Sequence, residues 1–327
     1  MRPDSAPRSA RWLVLLACAP LAGCWTGGAQ LDTGYTYEWE MDPDQPPIPF
    51  GLWGLNGFHT AEGLRQVEEQ FGIAVFHTST HVPSWGVGTM LPMARSAGLR
   101  VNLRMAGDHH WYTDGEGNFD LAAWKAMLEP WRDSGVQEFI DDGTLAYHLL
   151  LDDISTFEGR SPTGDELEEM ARYSKSVLPG LKVAVREEAA RMPVPVRGSY
   201  EFLDAAFNQY VSWYGDVEEY AFVNEAAAHR LGLELVNGLN IADGGNGSSG
   251  QPGWSETRWA MSAAEIVQYG YVLSAVPDCA LFMAWEYDGE ELWSDESVGS
   301  DYFDRPENTA ALYWLGRRLA GEDPPRP

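Results

Sequence analysis

A (β/α)8 barrel is the fold that this 327-residue sequence predicts. Three observations carry it. Eight short apolar or β-rich segments recur at intervals long enough for a crossover helix; the stretches between them carry helix signals; and polar residues gather where the segments end. The segments are IPFGLWGL (48–55), IAVFHT (73–78), LRVNLRM (99–105), LAYHLLLD (145–152), LKVAVR (181–186), FNQYVSW (207–213), LELVNGLNI (233–241) and CALFMAW (279–285).

The intervening stretches justify the helices. TAEGLRQVEEQFG offers Thr60 as N-cap and Gly72 as stop. TGDELEEMARYSKSVLPG has acidic residues in its first turn, a lysine later and Pro-Gly at its end. SAAEIVQYGYVLSAV and NTAALYWLGRRLAG repeat apolar residues at spacings of three and four. Eight strand-helix pairs without a change in composition imply one barrel domain over 48–321. A doubly wound open sheet is the main rival, and it lacks support because the G-x-G-x-x-G of GNGSSG (245–250) lies within a loop and does not open a helix, the next helical stretch starting near Ser262. DGGNGSSGQPG (243–253) follows the seventh segment without the Lys-Ser/Thr of a phosphate loop, and is expected to be a loop on the active face.

Outside the barrel, Arg2, Arg8 and Arg11 precede an apolar run from Trp12 to Ala19 that is too short to span a bilayer. Leu21-Ala22-Gly23-Cys24 then resembles the lipobox of bacterial lipoproteins. That resemblance implies a signal peptide over 1–23, lipidation of Cys24, and an exported protein held to the outer membrane or cell surface by its lipid. Residues 24–47, rich in Gly, Thr, Asp and Pro, are expected to be a tether, and 322–327 a tail. Of the three cysteines, Cys18 leaves with the signal and Cys24 carries lipid, so Cys279 in its apolar strand is expected to be an inert buried thiol.

The net charge of −27 makes a phosphate backbone an unfavourable partner, and nucleic acid is excluded on that ground. The 14 Trp and 14 Tyr point elsewhere, since the apolar faces of pyranose rings stack on flat aromatic surfaces. A monomer acting on carbohydrate without a cofactor is the expectation.

Residues at the C-terminal ends of barrel strands converge on one pocket. In order, the segment ends supply Trp53, Asn56 and His59; His77 and His81; Arg104, Asp108, His109, His110 and Trp111; and Asp152 and Asp153. They continue with Arg186, Glu187 and Glu188; Gln209, Tyr210, Trp213 and Tyr214; Asn237, Asn240 and Asp243; and Trp285, Glu286, Tyr287 and Asp288. The opposite ends, at Gly72, Gly98 and Gly180, are turn residues.

Glycoside hydrolysis needs two carboxyl groups across the scissile bond, one to protonate the leaving oxygen and one to attack or activate water. This pattern resembles the (β/α)8 glycoside hydrolases over the whole folded body. The resemblance implies a sugar platform at Trp285, where many such barrels carry an aromatic residue. In the largest clan of retaining barrels Asn-Glu follows strand four and Glu follows strand seven. Here those places hold Asp152-Asp153 and Asn240/Asp243, so that clan's assignments do not carry over. The catalytic candidates are Asp153 or Asp152 with Glu286, and Glu187 as substitute. Trp53, Asn56, His77, Arg104, His109, Trp111, Tyr210, Trp213, Asn240, Asp243, Trp285 and Asp288 are the candidate substrate-binding residues.

Two other classes compete. The histidines and carboxylates at strand ends allow a divalent metal, although no H-E-x-x-H or H-x-H spacing supports a site, and His148 within its apolar strand fits a core histidine better. A surface lipoprotein on a degenerate barrel would instead capture glycan without cleaving it. No G-x-S-x-G occurs, which argues against an esterase.

Overall fold

The structure, a computed structural model, describes residues 45–55, 60–255, 257–277, 279–287 and 300–327. Cys24, Asn56, His59, Asp288 and Glu290 lie outside the described residues, as do the expected signal peptide and most of the expected tether.

Eight parallel strands close into a barrel in sequence order: β1 (Phe50–Trp53), β2 (Val75–Ser79), β3 (Arg100–Arg104), β4 (Leu145–Asp152), β5 (Lys182–Arg186), β6 (Ala205–Phe207), β7 (Glu234–Asn240) and β8 (Cys279–Trp285). Closure is made by β1 on β8, with Gly51 opposite Met283. Alternate residues point into the lumen, where Val75, Leu149, Ala184, Ala205, Phe207, Val236, Leu281 and Met283 form one apolar cluster. The outward residues join the helices in the larger core. Space in the lumen is fully used at Gly51: a Cβ there would lie 2.6 Å from Val75 Cγ1 and 2.7 Å from Met283 Sδ.

Local sequence explains the helices that cover the barrel. Thr60 caps Ala61–Phe71 by accepting from Gly63 N, and Gly72 ends it at φ 68°, the left-handed conformation that glycine adopts without a Cβ penalty. Thr163 with Glu166 and Ser262 with Glu265 form capping boxes for Gly164–Val177 and Ala263–Ser274. Further helices span Leu121–Leu128, Val217–Leu231 and Pro306–Leu319. Among the described residues no helix is long and apolar enough to cross a membrane.

Two expectations need correction. No α-helix separates β5 from β6; the crossover makes one 3-10 turn at Ala189–Arg191 and otherwise runs irregularly. The sixth strand also begins earlier than FNQYVSW, because Ala205 and Ala206 pair with β5 and β7 while Tyr210 makes only an isolated bridge to Leu239. Two alanines carry a weak strand signal, and the aromatic residues downstream outweigh it in sequence. His148 and Cys279 are buried core residues as expected. His148 Nδ1 lies 2.7 Å from Ser174 Oγ and burial lowers its pKa to about 3, while burial pushes the Cys279 thiol up to about 11.

Candidate active site

The strand ends build a polar floor and an acidic wall at the C-terminal mouth. The floor begins with strand register. Ser79 pairs with Arg104 and Asp152 with Arg186, which brings Arg104, Asp152 and Arg186 together from three successive strands. Arg104 Nη1 lies 3.1 Å from Asp152 Oδ2, and Arg186 Nε donates to Asp152 Oδ1. Arg104 also donates to Ser79 Oγ at 2.6 Å and pairs with Asp108. Burial opposes the charge on Asp152, but Arg186 and Arg104 outweigh it and hold the carboxyl below the ordinary aspartate value. Beneath them His77 is stacked on Trp53 at 3.7 Å, and burial, aided by Arg104, lowers its pKa to about 3. Trp53 is 5% exposed, so it packs in the lumen rather than at an open surface.

Asp153 follows the last residue of β4. It is the one non-glycine residue with positive φ among those described, at φ 60° and ψ 103°. Such backbone costs on the order of 1–3 kcal/mol and persists where its surroundings fix it. Here Asp153 N donates to Arg186 O, its Oδ1 accepts from Ser155 N at 2.9 Å and from the Ser155 hydroxyl, and its Oδ2 lies 3.3 Å from Arg186 Nη2.

The wall comes from the irregular crossover after β5. Glu187 and Glu188 are adjacent and buried, and Arg191 reaches back to both across one turn. Its Nη1 lies 2.9 Å from Glu188 Oε2 and 3.3 Å from Tyr214 Oη, and its Nε lies 3.7 Å from Glu187 Oε1. Burial first, and then the hydrogen bond and charge of Glu188, push Glu187 up to about 8 against the opposing pull of Arg191. Two carboxylates with one guanidinium retain a proton near neutrality.

Asp153, Arg186, Glu187, Glu188, Arg191, Gln209, Val211, Trp213, Tyr214, Asn240 and Trp285 line a single pocket of about 210 Å³. It covers the arc from β4 to β8. Trp213 is 46% exposed on its rim. Asn240 Oδ1 accepts from Asp243 N at 2.7 Å. Asp243, raised by burial, accepts from Ser255 N at 2.8 Å and so anchors the loop after β7.

Other sequence candidates lie elsewhere. Tyr210 is 1% exposed and donates its hydroxyl to Gly215 O, which places it under the wall as packing. His109 and Trp111 are exposed on the loop after β3, His109 against Phe157 and Trp111 beside His81 and His110, outside this pocket's lining. Glu286 is half-buried and leans over Gly54 at the end of β1, also outside this lining. Sequence reasoning missed Arg191 and Val211. The signal for Arg191 was present in EEAAR, since helical spacing of three and four brings an arginine back to both glutamates. Among the described residues no three His, Cys, Asp or Glu side chains gather to suit a metal ion.

Fold and site together define a (β/α)8 barrel with an acid-lined, tryptophan-rimmed pocket at its C-terminal end. The solved structures it is similar to include glycoside hydrolase barrels. A fungal β-1,4-galactanase matches at TM-score 0.56 and 14% identity, over 83% of this chain and 100% of that one. A β-glucuronidase from an uncultured Clostridium matches at 0.54 and 13%, over 86% and 52%. A GH30 endoxylanase from Clostridium papyrosolvens matches at 0.52 and 11%, over 84% and 72%. At these identities the likeness is one of fold. No family model and no curated protein matches the sequence.

Proposed function

We propose that the chain is a glycoside hydrolase-like enzyme that cleaves a poly- or oligosaccharide, with Glu187 as general acid and Asp153 as the second carboxyl. The observation that carries the reading is a buried carboxyl pushed up to about 8, in one pocket with Asp153 and with the indoles of Trp213 and Trp285. A protonated Glu187 can give its proton to the glycosidic oxygen, and Asp153 then attacks the sugar or activates water. Arg186 and Ser155 orient Asp153, and Asn240 offers a polar contact for a sugar hydroxyl. Asp152, held by two guanidiniums, serves as a fixed counter-charge. The chain is exported and tethered through lipid on Cys24 in this reading, and it works as a monomer.

The test is reducing-sugar release from arabinoxylan, β-1,4-galactan and hydroxyethylcellulose. Glu187→Gln and Asp153→Asn are expected to lower kcat by roughly 10²–10⁴-fold with the fold intact by circular dichroism. Full activity in both, with loss in Glu286→Gln, would move the chemistry to the end of β8. One observation favours a second reading, glycan capture on a degenerate barrel. Asp153 already accepts from Ser155 and faces Arg186, an arrangement that suits a structural carboxylate. Saturable glycan binding without turnover would select it.

A further inference from the structure

The loop from 241 to 261 between β7 and the helix Ala263–Ser274 carries a feature that the two-carboxylate chemistry does not use. Trp254 is 59% exposed, yet the backbone beneath it is tightly held. Trp254 N donates to Ala242 O, Gly253 N donates to Arg258 O at 2.8 Å, and Asp243 accepts from Ser255 N. A Cβ on Gly253 would lie 2.2 Å from Asp243 Oδ1, so the residue before Trp254 has to be glycine for this carboxylate to sit where it does. These contacts hold a large indole mostly in water, at the cost of burial it could have gained. The ring centroid of Trp254 lies 5.5 Å from that of Trp285, with the planes tilted by 54°. That spacing is close to the length of one pyranose residue in an extended chain, and Trp285 itself lines the pocket. The same loop reaches the other side of the rim, where Arg258 stacks on Trp213 with its guanidinium carbon 3.7 Å from the ring centroid.

We infer that Trp254 is a second sugar platform, one pyranose unit outward of Trp285, so that the pocket receives an extended neutral glycan chain rather than a single sugar. The inference rests on the carbohydrate reading above. Successive contacts run from Trp254 to Trp285 and on to the carboxyl groups at the ends of β4 and β5. A neutral occupant is favoured because a chain of net charge −27 repels a polyanion. Arg258 is a positioning residue that fixes the loop to Trp213.

Native affinity electrophoresis tests this with hydroxyethylcellulose, arabinoxylan, β-1,4-galactan and, as a polyanion, polygalacturonate in the gel. At least one neutral polymer is expected to retard the wild-type protein. Trp254→Ala should weaken that retardation by roughly tenfold, in line with the loss of one aromatic stacking contact. Trp254→Phe should keep most of it, and unchanged thermal midpoints would show both variants folded. Equal retardation of Trp254→Ala and wild type, retardation by polygalacturonate alone, or retardation by none of the polymers would each overturn the inference. Retardation that depends on Trp254 without reducing-sugar release would uphold the platform and sink the hydrolase reading instead.

Discussion

The polar floor at the ends of β3 to β5 and the acidic wall after β5 contain the same residue types and put them to opposite use. On the floor two guanidiniums, Arg104 and Arg186, share Asp152, and its carboxyl is held below the ordinary value. On the wall two carboxyls, Glu187 and Glu188, share Arg191, and Glu187 is raised. Both regions are largely withdrawn from water, so burial alone would raise every carboxyl. What each carboxyl touches decides which group gives up its proton: Asp152 contacts two guanidiniums, whereas Glu187 lies 3.7 Å from one that also serves Glu188. A fixed negative charge and a proton store thus arise at the ends of two neighbouring strands, β4 and β5.

The largest expected effect breaks the floor. Asp152→Ala leaves Arg104 and Arg186, whose side chains are 15% and 20% exposed, without their shared counter-charge. Removing one partner of a buried ion pair costs about 3–5 kcal/mol, and the lower end suits a carboxylate that is itself 26% exposed. Urea unfolding followed by circular dichroism measures it. A loss under about 1 kcal/mol would mean that water already screens the cage.

The wall is tested by moving its charge ratio in both directions. Glu188→Gln removes the neighbouring negative charge, so Glu187 should fall from about 8 and the alkaline limb of kcat/KM should move to lower pH. Arg191→Met removes the opposing cation and should move that limb to higher pH. The same group predicts a stability trend. The native state holds a proton that the unfolded chain, with Glu187 near 4.5, has released, so its contribution to stability declines as pH rises from about 4.5 to about 8. Glu187→Gln should flatten that part of the stability profile. Limbs that shift in the same direction in both variants would show that the ratio of charges is not what sets Glu187.

Much of the fold was legible because it is written locally. LAYHLLLD and CALFMAW match β4 and β8 residue for residue, and Thr60, Gly72, Thr163 and Ser262 mark helix ends through contacts within one turn. The missing β5–β6 helix and the early start of β6 were not legible, since Ala205 and Ala206 take their strand state from neighbours distant in sequence. The site was legible as a set of strand ends and illegible as a set of roles. Nothing in LLLDD tells that Asp152 takes both arginines while Asp153 adopts a positive φ. That division depends on Arg104, 48 residues away, and on Arg186, 34 residues away. Trp254 was not legible as a site residue because it follows a glycine-rich loop rather than a strand end.

The smallest effect is expected at the other end of the lumen, where the comparison has its control. Lys182 Nζ lies 2.6 Å from Glu234 Oε2, and the Tyr147 hydroxyl donates to the same oxygen at 3.2 Å. By distance this pair is closer than the 3.1 Å contact of Arg104 with Asp152 on the floor. Its side chains are 48% and 42% exposed, however, so water screens the charges and replaces each partner when it is removed. Lys182→Met should cost under about 1 kcal/mol in urea unfolding and leave kcat/KM unchanged. A loss equal to that of Asp152→Ala would mean that contact distance, rather than withdrawal from water, governs ion pairs in this barrel, and the contrast between floor and wall would then need another cause.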